Sequence, residues 1–543
     1  MVQPIIQDQY TAARAYFASV IGLLFIESLI RLPAFLVFRF GQGRSTSWSN
    51  AAHWKVTVLT HKLLSLPSPI PSLLDYHLPH VLRFVAFVAL NVVFGLNVNE
   101  YSTDFKLYGW LTIANAGLGL LLAPRTNLFA ILLRIPTPIL LQYHRWIGIA
   151  TVAQATTHVG YNIQHYIQTD QVATSFVASR IRVGLMAWIS LVLIFLTSLP
   201  IVRRRQFEIF YYTHALFFVF MVGALIHTTN GPEFLLPGFF LWVADRAIRF
   251  AYNFRRIEVK SVTHYDGGVT KFRVRGRMLT KMLRPGQVVW VQLRSVSYLN
   301  WHPFTIGSDP NGTDGTAILA IRGLGAYTRS VQFASEESKR EDAPFERTAN
   351  TGDRLKMRLD GPYGVGRLQW GAWPVTVLVA GGIGITPAIS ISSYLVGKAS
   401  RSPQQAVSHI HLLWVVKNAS HIAWFDEELR ALSEIASRED SLITFDITIH
   451  ITGSAEHALE NEGSRESQLK SPGTSSTGAP WSPQAGRPDI AAWFANVAFM
   501  RLGLDAAVNV CGPRSLMDET RKAAITASTE KGIFHVEEEA FQL

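Results

Sequence analysis

Residues 142–160 open Gln142-Tyr-His144-Arg-Trp-Ile-Gly148 and close Thr157-His158-Val-Gly160; residues 212–228 open Tyr212-Thr-His214-Ala and close Ile226-His227-Thr228. Both stretches are largely apolar and near the ~20 residues that a helix needs to cross a bilayer core. Each carries two imidazoles. A polar ring in hydrocarbon is costly without a partner, so an intramembrane histidine marks function by default. His144 and His158 are 14 residues apart. That is about 21 Å along a helix, and ~1,400° of rotation leaves them only ~40° from one face. His214 and His227 are 13 apart, about 20 Å by the same rise, so the pairs match in height. One further span separates the two stretches, which therefore run in the same direction. His144 then meets His214 at one level and His158 meets His227 at the other. One detail resists: thirteen residues of ideal helix leave His214 and His227 about 140° apart, which demands an overwinding, a kink or a different approach to the two levels.

Two imidazoles facing each other suit the axial positions of one haem per level, which makes His144, His158, His214 and His227 the metal-ligand candidates. A bare divalent ion fits less well, because no intramembrane carboxylate accompanies them. Hydrogen bonding between helices would account for any one of these histidines, but poorly for four at matched heights. His53, His61, His77, His80 and His165 have no matched partner and read as loop or interfacial residues.

Composition agrees with a membrane half. Of 543 residues, 48% are apolar and 16% charged, against roughly 25% charged in soluble chains. Seven stretches read as spans, near Tyr16 to Phe40, His80 to Val98, Leu107 to Ala123, Ile139 to Tyr161, Val183 to Val202, Phe207 to Thr228 and Glu233 to Tyr252. The first is too long, with Glu27 and Arg31 too internal, for a cleaved signal peptide. The net charge of +11 falls entirely before Ile257, between apolar runs rather than on one solvated face, so topology explains it better than nucleic acid does. Arg39, Arg44, Lys55, Lys62 and Arg83, then Arg125, Arg134 and Arg145, then Arg203 to Arg205, then Arg246, Arg249, Arg255 and Arg256 mark one side as cytoplasmic. The amino terminus is then external, and everything after Arg256 cytosolic. The single cysteine, Cys511, excludes a disulfide framework, a cysteine zinc site and an iron–sulfur cluster.

From Ile257 the pattern changes to short alternating runs such as Val269 to Val274 and Gln287 to Leu293, which predict an antiparallel barrel. Within it lie His302-Pro303-Phe304-Thr305, Arg322-Gly-Leu-Gly325-Ala-Tyr327-Thr328 and Gly361-Pro-Tyr363-Gly364. Aromatic and hydroxyl groups can stack on and hydrogen-bond a flavin, and Arg322 with Thr328 can hold a pyrophosphate. Next comes Val375-Thr-Val-Leu-Val-Ala-Gly381-Gly382-Ile-Gly384-Ile-Thr386-Pro387, a buried strand, a glycine turn and a helix start, where free N–H groups favour anions. Further strands at His411 to Val416 and Ala507 to Val510, the latter running into Cys511-Gly512-Pro513, indicate an α/β nucleotide domain. Ser335 to Thr351 and Gly453 to Pro488 read as insertions, the second as disordered.

This ordered set resembles the ferric reductase and NADPH oxidase superfamily, most closely the fungal ferric-chelate reductases, from about His80 to the end. The resemblance implies a multi-pass helical membrane domain with a six-helix di-haem core and one extra amino-terminal span. A ferredoxin-reductase-like module follows, with an FAD-binding β-barrel and an α/β NADPH-binding domain. The implied boundaries are 1–79 for the first span and linker, 80–256 for the di-haem domain, 257–370 for the FAD domain and 371–543 for the NADPH domain, with an insertion at 453–488. By the same resemblance His302, Pro303, Phe304, Thr305, Gly361, Tyr363 and Gly364 hold FAD, with Arg322, Tyr327 and Thr328 near its phosphates. Gly381, Gly382, Gly384, Thr386, Pro387, Cys511 and Gly512 line the nicotinamide nucleotide, Lys417 faces a 2′-phosphate, and Phe541 covers the flavin. Leu543 departs from the Trp with which fungal reductases often end.

The implied cofactors are FAD, NADPH and two b-type haems, with no catalytic residues beyond their sites. By the same resemblance, electrons are expected to pass from cytosolic NADPH to an external ferric or cupric chelate, alongside metal-uptake partners, in the plasma membrane or alternatively the vacuolar membrane. The alternative activity is superoxide generation. Oxidases commonly carry a further histidine one turn beyond the outer ligand, where this chain has Asn162.

Overall fold

The computed structural model describes residues 5–40, 78–98, 105–133, 135, 137–253, 257–276, 285–297, 300–308, 316–340, 357–363, 370–399, 407, 409–439, 441–453, 481–501, 503–529 and 532–539. The chain divides near Ile248 into a helical unit and a mainly β-containing unit.

Seven principal helices form the first unit: α1 (Gln9–Phe40), α2 (Leu78–Gly95), α3 (Lys106–Leu122), α4 (Thr137–Gln168), α5 (Ser179–Ser198), α6 (Phe207–His227) and α7 (Gly231–Asn253). Each expected span falls on one of them. Gln9–Ile30, Ser179–Ser198 and Phe207–His227 are long and apolar enough to cross a membrane, and Pro79–Gly95 is a shorter apolar helix. The outward faces of α1, α2 and α5 expose large apolar side chains such as Phe25, Ile26, Leu82, Val92, Ile189 and Leu196, as a lipid-facing surface requires.

The bundle interior pairs its polar groups instead. Tyr16 of α1 donates its hydroxyl to Asn115 of α3 (2.7 Å) and lies 3.0 Å from Asn91 of α2. Gln154 of α4 accepts from Asn115 (2.8 Å) and donates to Asn91 (3.0 Å). Glu27 of α1 and Arg83 of α2 form a nearly buried ion pair at 2.9 Å. Such bonds tie helices together where water cannot satisfy them.

Helix α6 eases the spacing problem. It runs as α-helix over Phe207–Thr213, tightens to a 3₁₀ turn over His214–Leu216 and resumes as α-helix over Phe217–His227. A 3₁₀ step turns about 120° against about 100° for an α step, so three steps add ~60° and cut the ~140° mismatch to ~80°. Overwinding is the route taken.

The second unit holds two six-stranded sheets. The first comprises β1 (Glu258–Tyr265), β2 (Val269–Arg275), β3 (Val288–Leu293), β4 (His302–Ser308), β5 (Thr316–Arg322) and β6 (Met357–Tyr363), all antiparallel, in the order β1-β2-β5-β4-β3-β6. Strand β4 changes partner midway, pairing β3 through His302–Thr305 and β5 through Ile306–Ser308. Such a switch is how a sheet turns a corner. Among the described residues β1 and β6 are the two ends of this sheet. Helix α8 (Ala326–Arg340) follows β5 and runs into the expected insertion at Ser335, whose remainder lies outside the described residues.

The second sheet comprises β7 (Val375–Gly381), β8 (His409–Val416), β9 (Thr444–Ile451), β10 (Gln484–Ala485), β11 (Ala506–Cys511) and β12 (Phe534–Glu539). All are parallel, in the order β10-β9-β8-β7-β11-β12. Helices α9 (Ile385–Ala399), α10 (Asp426–Ala436), α11 (Ile490–Met500) and α12 (Arg514–Ala527) make the crossovers. Strand order reverses between β7 and β11, the position where doubly wound sheets bind ligands. The carboxyl-terminal end of the expected 453–488 insertion belongs to this fold: Trp481 is buried, and Gln484–Ala485 pairs with His450–Ile451.

A buried cation joins β2 to helix α10. Lys271 of β2 reaches both carboxylate oxygens of Glu428 on α10 (2.9 and 3.0 Å), and Arg273 adds a third contact at 3.1 Å.

Candidate functional site

His144 and His158 lie on α4, His214 and His227 on α6. The ring centres of His144 and His214 are 6.2 Å apart, and those of His158 and His227 are 6.3 Å apart. An imidazole nitrogen lies about 1.1 Å from its ring centre and about 2.0 Å from a metal that it ligates, so two rings on opposite sides of one metal have centres about 6.2 Å apart. Both pairs show that gap. Among the described residues no three His, Cys, Asp or Glu side chains converge as a metal site of their own. Two ligands per level suit a metal whose remaining positions a macrocycle fills.

Main-chain carbonyls steer three of the rings. His144 Nδ1 lies 3.0 Å from Gly119 O, His158 Nδ1 2.9 Å from Phe105 O, and His227 Nδ1 3.0 Å from Arg180 O. A carbonyl only accepts, so each Nδ1 carries the proton and leaves Nε2 for a metal. His214 Nδ1 is buried without a hydrogen-bond partner among the described residues.

A cavity of about 510 Å³, lined by both His158 and His227, lies among α3, α4, α5 and α6, within the ~300–1,000 Å³ usual for cofactor pockets. Trp188 and Phe220 contribute apolar lining. Glycines make room for the rings: a Cβ on Gly109 would lie 2.9 Å from the His158 ring, and one on Gly184 would lie 2.6 Å from the His227 ring. Spacing of histidines could not reveal these two positions, because the space they leave belongs to another helix.

In the antiparallel sheet, the register places Thr305 of β4 and Tyr363 of β6 on either side of Val288 in β3. Thr305 is buried, and its Oγ1 has no hydrogen-bond partner among the described residues, an orphan that a bound flavin's polar edge fits. His302 stacks on Tyr327 with ring centres 3.8 Å apart. Pro303 and Phe304 pair with Trp290 and Val289 of β3. The Tyr327 hydroxyl accepts from the Leu293 amide (3.3 Å), and burial raises its pKa. Thr328 Oγ1 accepts from the amides of Leu324 and Gly325 (2.9 Å each), so it shapes its own turn. Arg322 lies over the Trp424 ring at 5.5 Å, and its Nη1 would be 3.8 Å from a Cβ on Gly382. The structure thus sets it beside the nucleotide turn. Asp360, fully buried, accepts from Tyr363 and from Arg249 Nε (2.7 Å). Gly361 has φ +129°, where a side chain would be strained. Gly364 lies outside the described residues.

At the reversal point of the parallel sheet, Gly381 and Gly384 meet the β11 turn. A Cβ on Gly384 would lie 2.4 Å from Cys511 O, and one on Gly381 would lie 2.6 Å from Pro513 Cδ. These glycines therefore answer to the neighbouring strand's backbone as well as to any pyrophosphate. Gly512 packs against Gly381, with a Cβ there 3.1 Å from Gly381 Cα. Gly382 adopts φ +56°. Thr386 and Pro387 are buried in the first turn of α9, with Thr386 Oγ1 donating to Ile383 O at 3.0 Å. A Cβ on Gly307 of β4 would be 3.9 Å from Thr386 O, so β4 and the start of α9 adjoin. Lys417 is exposed just beyond β8, and Phe541 lies outside the described residues. Burial, then the charge of Glu539, raises the Cys511 pKa, which keeps the thiol protonated. Opposite it in register stands Glu539 of β12, pushed up to about 8 by burial and then by Glu537. Asn509 Nδ2 donates to Glu539 Oε1 at 3.1 Å. The alternation of Glu537 and Glu539 on one strand face was the available signal for this carboxyl.

Three family matches cover these regions in order: "ferric reductase like transmembrane component" over residues 108–225, "FAD-binding domain" over 254–367 and "ferric reductase NAD binding domain" over 374–525. The chain belongs to the ferric reductase/NADPH oxidase superfamily. Membership brings FAD, NADPH and haem as cofactors and embedding in a membrane. Ferric reduction oxidase 7 of Arabidopsis thaliana is 27% identical over 350 residues, covering 62% of this chain and 46% of the relative. A superoxide-generating NADPH oxidase heavy chain of Dictyostelium discoideum is 28% identical over 284 residues, covering 49% and 40%. The chain therefore spans less than half the length of these superfamily relatives. A ferredoxin NADP⁺ reductase of Neisseria gonorrhoeae with bound FAD and NADP overlaps 52% of this chain and 97% of its own, at 15% identity and a TM-score of 0.33.

Proposed function

We propose that the chain carries electrons from cytosolic NADPH across a membrane to an external ferric or cupric chelate, for metal uptake, with FAD and two b-type haems as carriers. The observation that supports this most strongly is the pair of facing histidine couples on α4 and α6, each with the gap of a doubly ligated metal. FAD, when bound, supplies conversion between hydride and single electrons, and haem supplies one-electron carriage. The chain's residues hold and orient these groups. His144 and His214 are the inner ligands, and His158 and His227 the outer ones. Thr305, His302, Tyr327 and Tyr363 form the flavin seat. Gly381 to Pro387, with Cys511 and Gly512, form the nucleotide turn, and Lys417 meets a 2′-phosphate.

The domain boundaries follow as 1–79, 80–256, 257–370 and 371–543. The distribution of Arg and Lys puts residues after Arg256 in the cytosol, and the plasma membrane is the default site, with the vacuolar membrane as alternative. A metal acceptor is favoured over dioxygen by Asn162, one turn beyond His158, whose amide donates to the His158 carbonyl (2.7 Å). The similarity to a superoxide-generating oxidase supports the second reading.

Reduction of an impermeant ferric chelate by cells expressing the chain, with and without superoxide dismutase, separates the two. Dismutase-resistant reduction is expected; reduction abolished by dismutase would move the assignment to the oxidase. Independently, His214→Ala is expected to lose the inner haem, and a wild-type reduced haem spectrum in that variant would sink the ligand assignment.

A further inference from the structure

Arg180 and His227 exchange two hydrogen bonds. The imidazole Nδ1–H of His227 donates to the Arg180 main-chain carbonyl (3.0 Å), and the Arg180 side-chain Nε–H donates back to the His227 carbonyl (2.5 Å). His227 is the last residue of α6, so its carbonyl is one that the helix itself leaves without an internal partner. Arginine suits that place twice over, as a donor to a terminal carbonyl and as a cation at the negative end of the helix. Gly184 lies one turn further along α5, on the same face as Arg180, and supplies the gap that the His227 ring enters. The two helices approach closely here: a Cβ on Gly223 of α6 would lie 2.9 Å from Ala187 Cβ of α5.

Among the described residues the inner pair has no such clamp. His144 is steered by Gly119, and His214 Nδ1 has no partner among the described residues. Arg180 and Lys106 both line the cavity between His158 and His227, and among the described residues neither forms an ion pair. We propose that Arg180 is a positioning residue of the outer centre, which fixes the His227 ring through a reciprocal clamp and sets the outer potential with its charge. A nearby cation favours the reduced, less positive state of a metal centre. Because the ring's acceptor is main chain, a substitution at 180 leaves that carbonyl in place and removes only the return bond and the charge. The inference rests on the assignment of His158 and His227 as outer ligands.

The experiment uses the full chain, purified with its haems. Redox titration and low-temperature electron paramagnetic resonance are recorded for wild type, Arg180→Gln and Arg180→Lys, with His227→Ala and His214→Ala identifying each signal. Arg180→Gln is expected to shift the outer midpoint potential negative and to alter the outer low-spin signal, with the inner signal unchanged. Arg180→Lys is expected to restore most of the potential but not the signal, since the charge is kept while the fixed Nε–H geometry is lost. Wild-type outer potential and signal in Arg180→Gln would overturn the proposal, as would equal change at both haems. If Arg180→Gln retains no haem, Arg180→Lys decides, and a wild-type outer signal there refutes the clamp. An outer haem that persists in His227→Ala would instead refute the ligand assignment beneath it.

Discussion

Adding one methyl group at each of three glycines tests whether the histidine rings are seated by shape. Ordinary carbon contacts lie at about 3.5–4.0 Å. A Cβ on Gly184 would sit 2.6 Å from His227 Nδ1, and one on Gly109 would sit 2.9 Å from His158 Cε1; one on Gly148, on the histidine-bearing α4 itself, meets nothing within 4 Å. Something must therefore yield by about 0.9 Å at Gly184 and about 0.6 Å at Gly109, since contacts shorter than about 3.5 Å are repulsive. Each ring is also held by a carbonyl on the same helix as its glycine or at that helix's start, so retreat of the ring weakens that bond too. Loss of such outer contacts costs roughly 10–100-fold in metal affinity, about 1.4–2.8 kcal/mol by the tenfold-per-1.4 rule. The assay is the haem-to-protein ratio after detergent purification, followed by displacement with an apo-haemoprotein acceptor. The expected order of outer-haem loss is Gly184→Ala fastest, then Gly109→Ala, with Gly148→Ala equal to wild type. Equal retention in all three variants would refute the steric seat, and comparable loss in Gly148→Ala would show that glycine is needed for helix packing generally.

Glu539 supplies a pH prediction. Its folded pKa of about 8 lies above the ordinary value of 4.5, so the stability it contributes is fully present below about 4.5 and is lost as pH rises through about 8. Thermal unfolding of Glu539→Gln is expected to show a flatter decline between pH 6 and 9 than wild type, and an unchanged slope would refute the burial argument. Removal of one partner from the buried Lys271–Glu428 pair leaves a stranded charge: Glu428→Ala is expected to cost about 3–5 kcal/mol in denaturant unfolding, against a few tenths for a surface substitution. Lys417→Ala is expected to raise the KM for NADPH several-fold and leave that for NADH unchanged, measured by steady-state reduction of a soluble dye, and equal effects on both nucleotides would remove Lys417 from the 2′-phosphate.

The helical half was readable because lipid imposes its demand on composition directly: twenty apolar residues and a flanking arginine say nearly everything about a span. Ligand candidates followed from helical periodicity, which is local. The 3₁₀ turn at His214 was legible only as a conflict, since Thr213-His214-Ala215-Leu216 carries no residue that announces a change of winding. Sheet order was not legible at all. Whether β11 lies beside β7 is decided by pairings 131 residues apart, so the backbone contact of Cys511 with Gly384 follows from neither strand alone, although the resemblance sets both beside one nucleotide. Gly109 and Gly184 were missed for the same reason, as the emptiness they provide is used by another element. Gly381 and Gly384 read from the sequence as an anion turn, whereas much of their necessity lies in the Cys511–Pro513 backbone pressed against them.

The tightened turn in α6 also has a consequence for length. A 3₁₀ residue rises about 2.0 Å where an α residue rises about 1.5 Å, so three of them add about 1.5 Å, the height of one α-helical residue. Helix α6 has one residue fewer between its histidines than α4 has between its own, and the turn restores that missing height while it reduces the rotational mismatch. The two helices therefore reach the same two levels with unequal numbers of residues. An insertion of one residue after Leu216 that let the turn relax to α-helix would preserve the vertical distance between the two imidazoles, whereas the same insertion with the turn retained would push them a full residue out of step.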